Sequence, residues 1–98
     1  MSKVEVVAKF RIEEKFYDEV YNNLVELHKQ THANDTGCIK YDIHKDLEDK
    51  FLYTFIETWE DMASLNAHMQ KEHFLSFVKN VENKLENLEI SKLEKKEL

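Results

Sequence analysis

The chain has 98 residues, one domain's worth, with 42% hydrophobic and 35% charged side chains and a formal net charge of -6. With 20 acidic against 14 basic residues, a phosphate backbone is a disfavoured partner, and no apolar run approaches the about 20 residues of a membrane span, so neither nucleic acid nor membrane is expected. The N-terminus lacks the order of a signal peptide and Cys38 is the only thiol, which together point to a soluble cytoplasmic protein without disulfides.

Val4, Val6, Ala8, Phe10 and Ile12 alternate with largely polar residues, the period of a strand buried mainly on one face. From Glu13 the period changes. Tyr17, Val20, Tyr21, Leu24, Leu27, His28 and Thr31 recur at three and four, which predicts a helix of about five turns. Asn34-Asp35-Thr36-Gly37 stops it, and the chain's only glycine falls where a turn needs positive φ. Residues 38–45 and 51–59 read as two strands joined by a charged loop, the second apolar on both sides. Either Thr58 or Asp61 caps a following helix, with one stripe at Met62, Leu65 and Met69 and another at Phe74, Phe77, Val78, Val81 and Leu85. Gln70-Lys71-Glu72 between the stripes marks a kink or a break, and Leu88 and Ile90 sit in a last strand before a solvated charged tail.

This order, β-α-β-β-α-β, predicts one α+β domain over residues 1–98, ferredoxin-like, with a four-stranded antiparallel sheet and both helices on one face. A core this small leaves apolar surface on the other face, so a second copy is expected to cover it as a homodimer. A four-residue hairpin loop, 47–50, would pair Lys40 with Glu57 and His44 with Tyr53. That register sorts the hairpin into a plain face (Ile39, Tyr41, Ile43, Leu52, Ile56) and a mixed one (Cys38, His44, Tyr53, Phe55, Glu57, Trp59). Aromatic walls with a few polar groups make either a small-molecule pocket or a dimer interface.

The runs Gly37-Cys38-Ile39-Lys40-Tyr41, Phe55-Ile56-Glu57-Thr58-Trp59 and His68-Met69-Gln70-Lys71-Glu72-His73-Phe74 resemble the antibiotic-biosynthesis monooxygenase family: Gly-Cys opening strand two, Glu-x-Trp ending strand three, and His, four residues, His-Phe on a helix. The resemblance spans nearly the whole chain and implies a dimeric α/β barrel. Branches of that family include cofactor-independent oxygenases of quinols or polyketide phenols, haem-degrading enzymes and isomerases of small carbonyl signals. The haem-degrading branch is disfavoured: strand one has no Asn, and His68 and Val78 stand at the aligned helix positions. Phe55 replaces the Asn of the polyketide branch, which leaves the quinol-monooxygenase-like group as the nearest.

Such an enzyme needs no metal or flavin. A base deprotonates an electron-rich phenol or quinol substrate, and the anion reduces oxygen in an apolar cavity. His73 and His68 are the candidate catalytic bases; on an unbroken helix they diverge by roughly 140°, so that only one faces a given pocket. Trp59, Tyr53, His44 and Phe55 are the candidate substrate-binding residues. His28 and His32 have i, i+4 metal spacing, but two ligands are too few and no third is evident nearby in sequence, so no metal is expected. Cys38 reads as a buried small hydrophobe, not a nucleophile. Two rivals stand beside the oxygenase: an isomerase of a small carbonyl or sugar phosphate, drawing its cation from Lys40 or Arg11, and a non-catalytic dimeric ligand-binding module.

Overall fold

A computed structural model describes residues 2–98. The alternating first segment forms β1 (Val4–Ile12), with Val4, Val6, Ala8, Phe10 and Ile12 all buried. A short 3-10 turn at Glu14–Phe16 redirects the chain into α1 (Tyr17–Asn34), which buries Val20, Leu24, Leu27 and Thr31 along one stripe. The backbone N–H of Asp35 donates to the Thr31 carbonyl at 3.1 Å and ends the helix. Gly37 follows with φ 82°, and a β-carbon there would lie 2.1 Å from Ser64 Oγ and 2.6 Å from Ser64 Cβ, so only glycine can make the turn.

Next come β2 (Cys38–Lys45) and β3 (Leu52–Trp59). Of the two caps read from the sequence, Asp61 takes the role, its carboxylate accepting from the Ser64 N–H at 2.8 Å. It opens α2 (Met62–His68), and the polar stretch after it proves to be a break. The N–H groups of Gln70 and Lys71 reach back only three residues, to the Ala67 and His68 carbonyls, tightening the last turn before α3 (Glu72–Val81) resumes. Leu85, expected on the helical stripe, lies beyond this helix. Asn83 adopts φ 63°, a left-handed conformation that asparagine tolerates, and the chain turns there into β4 (Leu85–Leu93).

All pairs are antiparallel and the sheet order is β2-β3-β1-β4, a ferredoxin-like α+β fold with three helices where two were expected. No helix is long and apolar enough to cross a membrane among the described residues. The helices cover the face carrying Phe10, Phe55 and Trp59. They stop short of β4. Leu88 and Ile90 pair with Phe10 and Ala8 and so face the same side, yet both remain about half exposed.

The hairpin departs from the expected register by one residue. Its loop spans residues 47–51, five rather than four, closed by the Asp46 N–H donating to the Leu52 carbonyl at 3.0 Å. The Asp46 carboxylate accepts from the N–H groups of Glu48 and Asp49, and Arg11 Nε holds Asp49 at 2.8 Å. Tyr41 therefore sits opposite Glu57, Ile43 opposite Phe55, His44 opposite Thr54, and Lys40 opposite Thr58 instead of Glu57. A bulge at Ile39 restores the Cys38–Trp59 pair. Because side chains alternate with period two, this single step turns Tyr41 and Ile43 inward and His44 outward. The uncovered face of the sheet carries Val7, Leu52 and Ile56 at its centre, all only partly buried by their own chain.

Candidate functional site

The break between α2 and α3 decides the site. On a continuous helix His68 and His73 would point apart; the bend turns both toward Asp35, the residue that closes α1. His68 Nδ1 is hydrogen-bonded to one carboxylate oxygen of Asp35, and His73 Nε2 lies 2.8 Å from the other, too bent for a proper hydrogen bond. The Asp35, His68 and His73 side chains are 1%, 2% and 14% exposed.

The His68 ring packs against Trp59, Phe74 and Tyr41, with centroids 4.7, 4.9 and 5.3 Å away. Its Nε2 lies 3.5 Å from the Tyr41 hydroxyl. Burial lowers the His68 pKa, with the Asp35 carboxylate opposing. The neutral ring then gives its Nδ1 proton to Asp35 and presents a lone pair at Nε2. Burial pushes the Tyr41 phenol well above its ordinary range, so it remains a proton donor. Glu57 is 5% exposed, and burial raises its carboxyl to about 7 although Trp59 Nε1 donates to Oε1 at 2.8 Å.

Tyr41, Glu57 and His68 are polar points on the wall of a cavity of about 510 Å³ between the helices and the sheet. Most of the remaining wall is apolar, with Phe10, Phe55, Phe74, Phe77, Leu88 and Ile90, and it also carries Glu82, Asn83, Glu86, Asn87 and Lys92. A largely apolar pocket with a few polar groups suits an aromatic guest. A neutral imidazole beside a carboxyl that titrates near neutrality supplies a base and a proton donor at the same pH.

Of the residues singled out from the sequence, His68 and Phe55 line this cavity. Trp59 stands behind His68 and His73 behind Asp35, neither on the cavity wall. Tyr53 lies instead in a tyrosine cluster, its hydroxyl 2.5 Å from that of Tyr17 and its ring beside Tyr21. His44 is exposed, with Nδ1 3.3 Å from the Thr54 carbonyl, outside the cavity because of the register step. Arg11 is engaged with Asp49 and Glu86, Lys40 is exposed, and neither lines the cavity.

Sequence reasoning passed over Asp35, Tyr41 and Glu57. In the sequence Asp35 reads as part of a helix stop and Glu57 as the partner of Lys40. One signal pointed to Tyr41: Tyr41 and Ile43 are alternate apolar residues of β2 and both pack into the core, whereas Ile39 at the bulge is exposed. Two groups of three side chains bring potential metal-ligating atoms within 4.8 Å among the described residues: Asp35, His68 and His73, and separately His28, His32 and Asp42.

Solved structures share this architecture over nearly their whole length. The Pseudomonas aeruginosa protein PA3566 superposes with a TM-score of 0.90 at 30% identity, covering 99% of this chain and 97% of its own. A conserved protein of Methanosarcina mazei Go1 gives 0.89 at 30% identity, covering 98% and 95%. A structure described as an antibiotic biosynthesis monooxygenase gives 0.84 at 26% identity, covering 97% and 98%. No curated protein matches the chain. The model of the family described as antibiotic biosynthesis monooxygenase matches residues 3–80, from the start of β1 to the last turn of α3, and so takes in every side chain of the Asp35–His68–Tyr41–Glu57 constellation. On that match the chain belongs to the antibiotic biosynthesis monooxygenase family.

Proposed function

We propose that the protein is a cofactor-independent monooxygenase of a small phenol or hydroquinone, with molecular oxygen as the second substrate. The observation that carries this reading is His68, held at Nδ1 by Asp35 on the wall of a largely apolar cavity, with Nε2 3.5 Å from the Tyr41 hydroxyl. His68 Nε2 takes the phenolic proton, and Asp35 steadies the imidazolium that forms. The phenolate passes an electron to oxygen, the radical pair recombines to a peroxide anion on the ring, and His68 returns its proton to give the hydroperoxide. Loss of water then gives the oxidised product, so that a hydroquinone plus one oxygen molecule yields a hydroxyquinone plus one water. Tyr41 and the protonated Glu57 donate hydrogen bonds to the oxygens as charge develops. The apolar wall keeps water from the anion.

The test is oxygen uptake with a panel of simple hydroquinones and naphthols, run with isotopically labelled oxygen. One oxygen consumed per substrate, with one labelled atom in the product, is the expected result. Equal turnover without oxygen makes the protein an isomerase, and binding without turnover makes it a ligand-binding module.

The active unit is read as a homodimer. Val7, Leu52 and Ile56 are apolar and only partly covered on the open sheet face, and an isologous pair would bury them against their copies. Sedimentation at micromolar concentration is expected to give twice the chain mass, and Ile56→Lys to give single chains. A cytoplasmic setting accords with a lone thiol, Cys38, whose pKa burial pushes up to about 11.

A further inference from the structure

We propose that His28, His32 and Asp42 form a binding site for a divalent transition-metal ion, with zinc as the simplest occupant, where α1 meets the edge strand β2. The site is separate from the oxidation chemistry and does not depend on it. The two histidines are one turn apart on α1, their ring centroids 4.5 Å from each other. Spacing of four on a helix supplies two of the ligands that a zinc site requires, and the sequence shows no third nearby. The fold provides it. Asp42, ten residues beyond His32 in sequence and on another element, brings a carboxylate oxygen within 4.8 Å of a ring nitrogen of each.

Ligand bonds of about 2.0 to 2.1 Å in a tetrahedral site set donor atoms roughly 3.3 Å apart, so small side-chain rotations close the set around an ion. A second feature concerns the outer partner of one ligand. His32 Nε2 is 2.8 Å from the Tyr41 carbonyl. An N–H donated there fixes the ring and leaves the Nδ1 lone pair free; ligating imidazoles ordinarily have such a backbone partner. Two imidazoles and one carboxylate suit zinc, nickel or copper better than calcium or magnesium. His32 is exposed and the other two side chains are only partly buried, which leaves a fourth position to water. The bound ion would tie the last turns of α1 to β2 next to Tyr41, a residue of the cavity wall.

The buried group of Asp35, His68 and His73 is the competing location. There the carboxylate is already hydrogen-bonded to His68 Nδ1 inside the core, and an ion would have to displace that proton. Calorimetric titration of the chelator-treated full chain with zinc chloride, at about pH 7.5 and so above the ordinary imidazole range, separates the two. The expected result is one zinc per chain, with affinity lowered about tenfold or more by His28→Ala, His32→Ala and Asp42→Asn alike, and unchanged by His73→Gln and Cys38→Ser. Zinc is also expected to raise the Tm of the unaltered chain and not that of His28→Ala. Failure to take up stoichiometric zinc overturns the proposal, as does uptake that survives all three substitutions or is lost in His73→Gln.

Discussion

Replacing His68 with alanine is expected to lower kcat for hydroquinone oxidation by about a hundredfold to ten-thousandfold, the range usually supplied by a positioned general base. The loss follows from geometry: Nε2 lies 3.5 Å from the Tyr41 hydroxyl on the cavity wall, while Nδ1 is committed to Asp35. Asp35 touches the ring and not the cavity, so Asp35→Asn acts through orientation. It is expected to give a smaller loss confined to kcat, because the Nδ1 proton loses its carboxylate partner while the binding surface is unchanged. The pH profile distinguishes these roles from general damage. Burial holds the His68 pKa below its ordinary 6.5, so activity falls on the acid side of that value, and Glu57 titrates near 7, so activity falls again above it. His68→Ala should abolish the acid limb and Glu57→Gln the alkaline one. If His68→Ala retains full activity, the proposed base is wrong even where oxygen consumption itself is confirmed.

The largest effect on stability is expected at Glu57. Its folded pKa of about 7 stands above its ordinary 4.5, because ionisation would put a charge in an apolar wall where only the Trp59 N–H meets it. Between those two values the folded chain keeps a proton that the unfolded chain has released. Stability contributed by the neutral carboxyl is thus complete below about pH 4.5 and is lost as pH rises through about 7. The full loss by pH 8 is of order 3 kcal/mol, since each pKa step is worth about 1.4 kcal/mol. Glu57→Gln keeps the shape and removes the titration. Urea unfolding across the range from pH 4.5 to 8 should show the variant equal to the unaltered chain at the acid end and more stable at the other. Taking the difference between the two proteins also cancels the opposite contribution of His68, which destabilises the fold as pH falls. Parallel curves would mean that water reaches Glu57 freely and that the cavity is not dry.

These expectations rest on residues that differed in how readable they were. Phe55, Glu57 and Trp59 alternate along one strand, and the strand's own pattern placed all three on one face. Tyr41 went astray because its facing was inferred from an assumed four-residue loop, and the loop has five residues folded around the Asp46 carboxylate. Nothing in hydrophobic periodicity counts the residues of a charged loop. His68 and His73 stand out in the sequence as a pair that diverges on an unbroken helix, and the 70–71 break turns them together.

By itself the sequence determined the order of the four strands, the turn at Gly37 and the buried faces of β1, α1 and β3, since these follow from periods of 2.0 and 3.6 residues and from the φ a turn demands. Only the tertiary structure decided which polar groups meet. Asp35 is 33 residues from His68, and Asp42 joins a histidine pair on another element. Such meetings depend on a loop one residue longer and on a helix broken at one place, distances set by packing between elements and invisible to any pattern within one of them.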